Sequence, residues 1–150
     1  FKWTASGGTV LHNSLKASNI SEEIMGQTCL GRPYHLEDSD VSCFFRDDGL
    51  SDLIGFTYSD WHADDAVANL VEHLENIADA CDDKKENVIS IILDGENAWE
   101  YYPNNGYYFL SALYKKLSSH PDLELTTFSQ CLKVGIDSMA LPKLVACSWV

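Results

Sequence analysis

Basic residues are scarce in this sequence. Ten Lys and Arg stand against 23 Asp and Glu, a formal charge of −13, and such a surface repels phosphate backbones and anionic headgroups instead of attracting them. Nucleic acid and membrane surfaces are therefore not expected as partners. Long apolar runs are also missing: none approaches the roughly 20 residues that span a bilayer, and no basic stretch leads into an apolar one at the start. Cys-x-x-Cys is absent, and the five cysteines, Cys29, Cys43, Cys81, Cys131 and Cys147, are odd in number and far apart. Neither a disulfide framework nor a zinc knuckle is indicated, so buried thiols in a reducing, cytoplasmic compartment are expected.

Several chemistries lack their motifs. There is no G-x-x-x-x-G-K-[ST], no G-x-G-x-x-G and no G-x-S-x-G, which removes the usual phosphate cradles and the nucleophile elbow. The histidines His12, His35, His62, His73 and His120 show no H-E-x-x-H spacing, and each reads as structural or solvated. No metal and no cofactor is expected.

What is present is an ordinary globular composition, 45% hydrophobic and 22% charged over 150 residues, enough for one core-bearing region spanning 1–150. The chain opens at Phe1-Lys2-Trp3 without a Met and stops at Cys147-Ser148-Trp149-Val150, with large apolar residues where polar, frayed termini are usual. It is expected to be a piece of a longer protein.

Residues 1–40 are the least periodic: Gly7-Gly8 marks a turn, 11–15 could form one helical turn, and "CLGRPYHLEDSD" reads as loop. Residues 41–45 and 53–58 are short apolar runs that predict two strands flanking a Gly-bearing turn. Val67, Leu70, Val71, Leu74, Ile77, Ala78 and Cys81 recur at helical spacing and predict an amphipathic helix capped near Ser59 or Asp60. "DDKKEN" is a charged connection into a strand over 88–93. A second helix is predicted from about 105 to 119, ended by His120-Pro121. Alternation over 123–128 predicts another strand, and the remainder holds a short helix, a Pro-bearing loop and a final strand. This order is the signature of parallel βαβ units, an α/β class with four or five strands. A complete parallel barrel needs about 200 residues or more, so a barrel assignment again implies part of one.

In parallel α/β architectures, ligands bind outside the carboxyl ends of the strands. In "VISIILDGENAWEYYPNNG", Asp94 is the first residue past the apolar run, Gly95 frees the turn, Glu96 follows closely, and Trp99, Tyr101 and Tyr102 supply flat faces that can stack on ligands. Arg46, Asp47 and Asp48 hold the equivalent place after "VSCFF". The structural alternative is that Asp94 is a turn residue or helix cap and the aromatics pack a core. Spacing alone does not identify a reaction.

"ILDGENAWEYYPNNGYYFLSALYKKLSSHPDLELTTFSQ", with "FFRDDGLSDLIGFTYSDW", the opening "FKW" and the closing "LVACSWV", closely resembles glycoside hydrolase family 57, the alpha-amylase and alpha-mannosidase-like branch. The resemblance implies part of an incomplete barrel of seven parallel strands, and retaining cleavage or transfer of alpha-glucans. The partners it implies are an alpha-glucan oligo- or polysaccharide and the remainder of the chain's own catalytic domain. The family's Asp before Gly-Glu, its general acid/base, matches Asp94. A nearby aromatic contacts sugar, with Trp99 the first match and Tyr102 the second. Glu96 reads as a support for the acid/base or an acceptor for a sugar hydroxyl, and Arg46 or Asp47 as sugar-binding. A retaining glycosidase needs one carboxyl group to protonate the leaving oxygen and then activate water, and a second carboxylate roughly 5 Å away as nucleophile.

Three departures stand out. The family's nucleophilic Glu is expected upstream of Phe1, and its fifth conserved region is only begun or altered at Cys147-Ser148-Trp149. Relatives often carry a His in the segment matching Arg46-Asp47-Asp48, and this chain has none there. Alone, the fragment is expected to be inactive. Two other readings stay open: an inactive carbohydrate-binding or regulatory module, and a magnesium-dependent hydrolase using Asp94, Glu96 and Asp47 as oxygen ligands.

Overall fold

A computed structural model describes residues 1–20, 30–37, 39–81, 86–96 and 98–146. Two compact units divide them. The first comprises residues 1–48, 83–92 and 126–150, and the second residues 49–82 and 93–125.

The first unit holds a mixed sheet of four strands among the described residues, β1 (Trp3–Ser6), β2 (Tyr34–Leu36), β3 (Ser42–Phe45) and β4 (Met139–Leu141), in the order β1-β3-β2-β4. The β1/β3 and β2/β4 pairs are parallel, but β2 and β3 run antiparallel, with Tyr34 opposite Cys43. The expectation of purely parallel strands is corrected by β2, which lies in the stretch read as loop. Three residues are too few to show an alternating pattern, and Pro33 immediately before them reads as a breaker.

Alternation along β3 sends its side chains to two cores. Cys43 and Phe45 join Tyr34, Leu141 and the Val10, Leu11 and Leu15 stripe of helix α1 (Gly8–Ala17). Phe44 faces Val88 and Cys131 instead. Its ring stacks on Phe128 at 4.2 Å, and Trp3 meets Phe128 edge-on. Phe128 opens α5 (Phe128–Val134), capped by Thr127, whose side chain accepts from the Gln130 backbone N–H. Residues 123–127 form no strand: their polar and apolar sites alternate, yet Leu125 stays exposed, and no neighbouring strand hydrogen-bonds to them.

Residues 86–94 also leave the ladder. The stretch is bonded, but to separate partners: the Val88 N–H donates to the Gly31 carbonyl, and the Asp47 N–H to the Ser90 carbonyl, each at 2.9 Å. Val88 and Ser90 are buried, whereas 91–93 are half-buried. The predicted strand is thus corrected to a segment without regular structure, fastened at intervals.

In the second unit, the predicted strand over 53–58 is helical. The short helix α2 (Asp48–Asp52) runs into a π-helical turn (Leu53–Thr57) and a 3-10 turn (Tyr58–Asp60). Leu50, Ile54 and Tyr58 are buried at i, i+4 and i+8, a spacing that fits a helix face and not a strand. Ser59 and Asp60 belong to that turn, so α3 (Ala63–Ala80) starts later than expected, at His62 as N-cap. It buries Ala66, Val67, Leu70, Val71 and Leu74, and packs against α4 (Tyr107–Ser118), which buries Phe109, Leu113 and Leu117. His120 Nε2 lies 3.0 Å from Glu75 Oε1, joining the end of α4 to α3.

Cys43 and Cys131 are buried free thiols and Cys81 is a half-buried one; Cys29, Cys147 and the Cys147-Ser148-Trp149 stretch lie outside the described residues. No described helix is long and apolar enough to cross a membrane.

Candidate functional site

The sequence-predicted residues fall on both units. In the first, Arg46 follows β3 directly and is buried, only 8% exposed. A guanidinium in such a place must find acceptors. Its Nε donates to the Ile92 carbonyl at 2.9 Å, and its Nη1 pairs with Asp48 Oδ1 at 2.7 Å. Its backbone N–H continues the sheet pattern onto the Ser6 carbonyl at 2.9 Å, while half-buried Asp47 uses its own N–H on Ser90. Two consecutive residues after β3 therefore fasten the 88–92 segment, one by side chain and one by backbone. Asp48, not singled out from the sequence as a partner, supplies the anion that keeps the buried Arg46 charge paired.

Gly8 completes this corner. A Cβ there would come within 2.9 Å of both the Arg46 carbonyl and Asp48 Oδ2. The Gly7-Gly8 pair reads as a turn in the sequence, but at Gly8 it is the lack of a side chain that matters.

In the second unit, Asp94, Gly95 and Glu96 form an exposed turn. Asp94 and Glu96 have no hydrogen-bond or ion-pair partner among the described residues, so their carboxylates face solvent. The predicted use of Gly95 is corrected: its φ is not in the left-handed region, and a Cβ there would meet open space. The glycine of this stretch that does use the left-handed region is Gly106, at φ 77°.

Trp99 is half-buried. Its ring lies 5.3 Å from that of Tyr102, edge to face, and 6.1 Å from Phe109, while Tyr102 and Phe109 are 5.4 Å apart. Tyr102 is buried and donates its hydroxyl hydrogen to the Ile54 carbonyl at 2.5 Å. Burial, with a smaller contribution from Tyr58, pushes its phenol up to about 12. Tyr58, buried with its ring 6.0 Å from that of Phe109, donates to Asn69 Oδ1 at 2.8 Å. Of the two aromatics matched to a sugar contact, Tyr102 is buried with its hydroxyl engaged, while Trp99 is only half-buried. Tyr101, Tyr107 and Tyr108 are exposed.

Among the described residues, no three His, Cys, Asp or Glu side chains gather closely enough to hold a metal ion. An arrangement of this kind offers exposed carboxylates at the end of a fastened backbone segment, with an indole a few residues on. Carboxylates can transfer protons, and an indole that is not fully buried can receive an apolar ring face.

No curated protein matches this chain. The model of glycosyl hydrolase family 57 matches residues 1–142, a span that includes every candidate residue described above. The chain therefore belongs to glycosyl hydrolase family 57, and a carbohydrate is the substrate class that membership implies.

Proposed function

We propose that this chain supplies the general acid/base, Asp94, of a retaining enzyme that cleaves or transfers alpha-glucans. The observation that carries the reading is the sequence of roles along one stretch. Backbone fastened at 88, 90 and 92 ends at an exposed Asp94 that is unpaired among the described residues, and the half-buried Trp99 follows. A proton donor needs such access, because it must reach the leaving oxygen and then a water.

In this reading Asp94 protonates the glycosidic oxygen as the bond to the sugar breaks. It then takes a proton from the water that hydrolyses, or the sugar hydroxyl that intercepts, the glycosyl-enzyme intermediate. Trp99 stacks on the apolar face of a glucose unit, and Glu96 accepts from a sugar hydroxyl. Arg46 and Asp47 act through the backbone they fasten. The nucleophilic carboxylate comes from the remainder of the catalytic domain, which completes the seven-stranded barrel to which this sheet belongs, so the chain alone is inactive. Free buried thiols accord with a reducing, cytoplasmic setting.

The direct test is Asp94→Asn in the complete enzyme, assayed on a soluble alpha-glucan. Loss of turnover of about 10²- to 10⁴-fold, with an unchanged melting temperature, is the expected result; near-normal turnover contradicts it.

A further inference from the structure

Asn104, Asn105 and Gly106 all lie in the left-handed region, at φ 51°, 51° and 77°. L-residues enter that region singly, and Asn and Gly do so at least cost. A run of three is a backbone held there by its surroundings, and such strain concentrates where geometry serves function. Here the run closes a tight loop, with the Tyr102 N–H on the Trp99 carbonyl and the Asn105 N–H on the Tyr102 carbonyl, each at 3.1 Å. Helix α4 starts at the next residue, Tyr107.

The loop delivers Gly106 against the indole of Trp99. A Cβ at Gly106 would lie 2.7 Å from Cε3 and 3.1 Å from Cδ2 of that ring. The position thus requires glycine twice over, for its φ and for the space. The indole is thus packed against Gly106, Tyr102 and Phe109.

We propose that the Asn104-Asn105-Gly106 turn is a positioning device for Trp99, with Gly106 as the positioning residue that sets the indole's angle for stacking on a glucose unit. The inference rests on the reading of Trp99 as the sugar-contacting aromatic.

The test compares Trp99→Ala, Gly106→Ala and Gly106→Asn in the complete enzyme on a soluble malto-oligosaccharide. Asn tolerates the left-handed angle better than Ala but carries a Cβ, so it separates backbone strain from the clash with the ring. Each of the three is expected to raise KM about tenfold, the size of one aromatic stacking contact, with kcat within about twofold. Adding Gly106→Asn to Trp99→Ala should raise KM no further. Pairing Gly106→Asn, which tolerates the angle, with Trp99→Phe, whose ring is smaller, should recover part of the melting temperature lost in Gly106→Asn alone; no recovery overturns the proposal. Parental KM in folded Gly106 variants, with KM raised in Trp99→Ala, overturns the role of the turn and leaves the reading of Trp99 standing. Parental KM in Trp99→Ala overturns that reading and this inference together.

Discussion

The Nε of Arg46 donates to the carbonyl of Ile92 at 2.9 Å, tying the residue after β3 to the backbone two positions before Asp94. Arg46 is buried and its other arm is engaged by Asp48. Truncation would remove the charged donor of the Ile92 carbonyl and the ion pair of Asp48 together. Arg46→Ala should therefore destabilise the protein by about 2 kcal/mol, as for a charged hydrogen bond. Arg46→Lys should recover little, because an ammonium cannot reach two acceptors through a rigid planar fork. Denaturant unfolding gives the energies, and amide exchange should quicken at residues 88–92. Wild-type exchange there in Arg46→Ala would show that the tie is dispensable.

Gly8 sits beneath the same corner, where a Cβ would approach the Arg46 carbonyl and Asp48 Oδ2 at 2.9 Å each. The carbonyl is backbone and cannot swing aside. Although Ala favours a helix over Gly, Gly8→Ala at the start of α1 should cost about 1–2 kcal/mol through overpacking. A melting temperature raised by the substitution would contradict this.

Tyr102 makes the protein sensitive to alkali. Its phenol is pushed up from about 10 to about 12 by burial first and Tyr58 second, so between those values the unfolded chain has released a proton that the folded chain still holds. The unfolded state is favoured as pH rises through this window, and the stability due to the neutral phenol, complete below pH 10, is lost by about pH 12. Tyr102→Phe should lower stability at neutral pH by about 1 kcal/mol, since the Ile54 carbonyl loses its donor, and should flatten the alkaline decline. Parallel pH profiles for the two proteins would show that Tyr102 is not responsible.

The buried thiol of Cys43 behaves in the same direction. Burial pushes it up to about 11, which keeps it protonated and unreactive near pH 8. Brief alkylation of the folded protein, read by mass spectrometry, should modify half-buried Cys81 well before Cys43, and denaturant should remove the difference. Rapid labelling of native Cys43 would contradict its burial.

The parts of this fold legible in the sequence are those with a sustained period. The stripe from Val67 to Leu74 specifies α3, and β3 follows from "SCFF". The run 53–58 is misread because its apolar residues are contiguous, although Leu50, Ile54 and Tyr58 already carry the helical spacing that burial follows. The segment 88–93 joins no ladder despite its apolar composition, and its bonding partners Gly31, Asp47 and Arg46 are remote in sequence, so pattern alone could not reveal them. The turn after Asp94 is visible as an exposed acid behind an apolar run. Gly106 is not, because its role depends on where the Trp99 ring comes to rest; the Asn-Asn-Gly triplet was the signal that could have found it.

The central claim is that Asp94 gives up a proton to the leaving oxygen, and substrates that differ in their need for that proton test it most directly. The measurement is the turnover of Asp94→Asn in the complete enzyme on an alpha-glucan and on an aryl alpha-glucoside with a strongly activated leaving group. Glucan turnover should fall by about 10²- to 10⁴-fold. Bond cleavage in the aryl glucoside, seen as a burst of released phenol, should be largely spared because that departure needs no acid. Equal loss of cleavage on both substrates, or near-normal turnover of the glucan, would contradict the assignment.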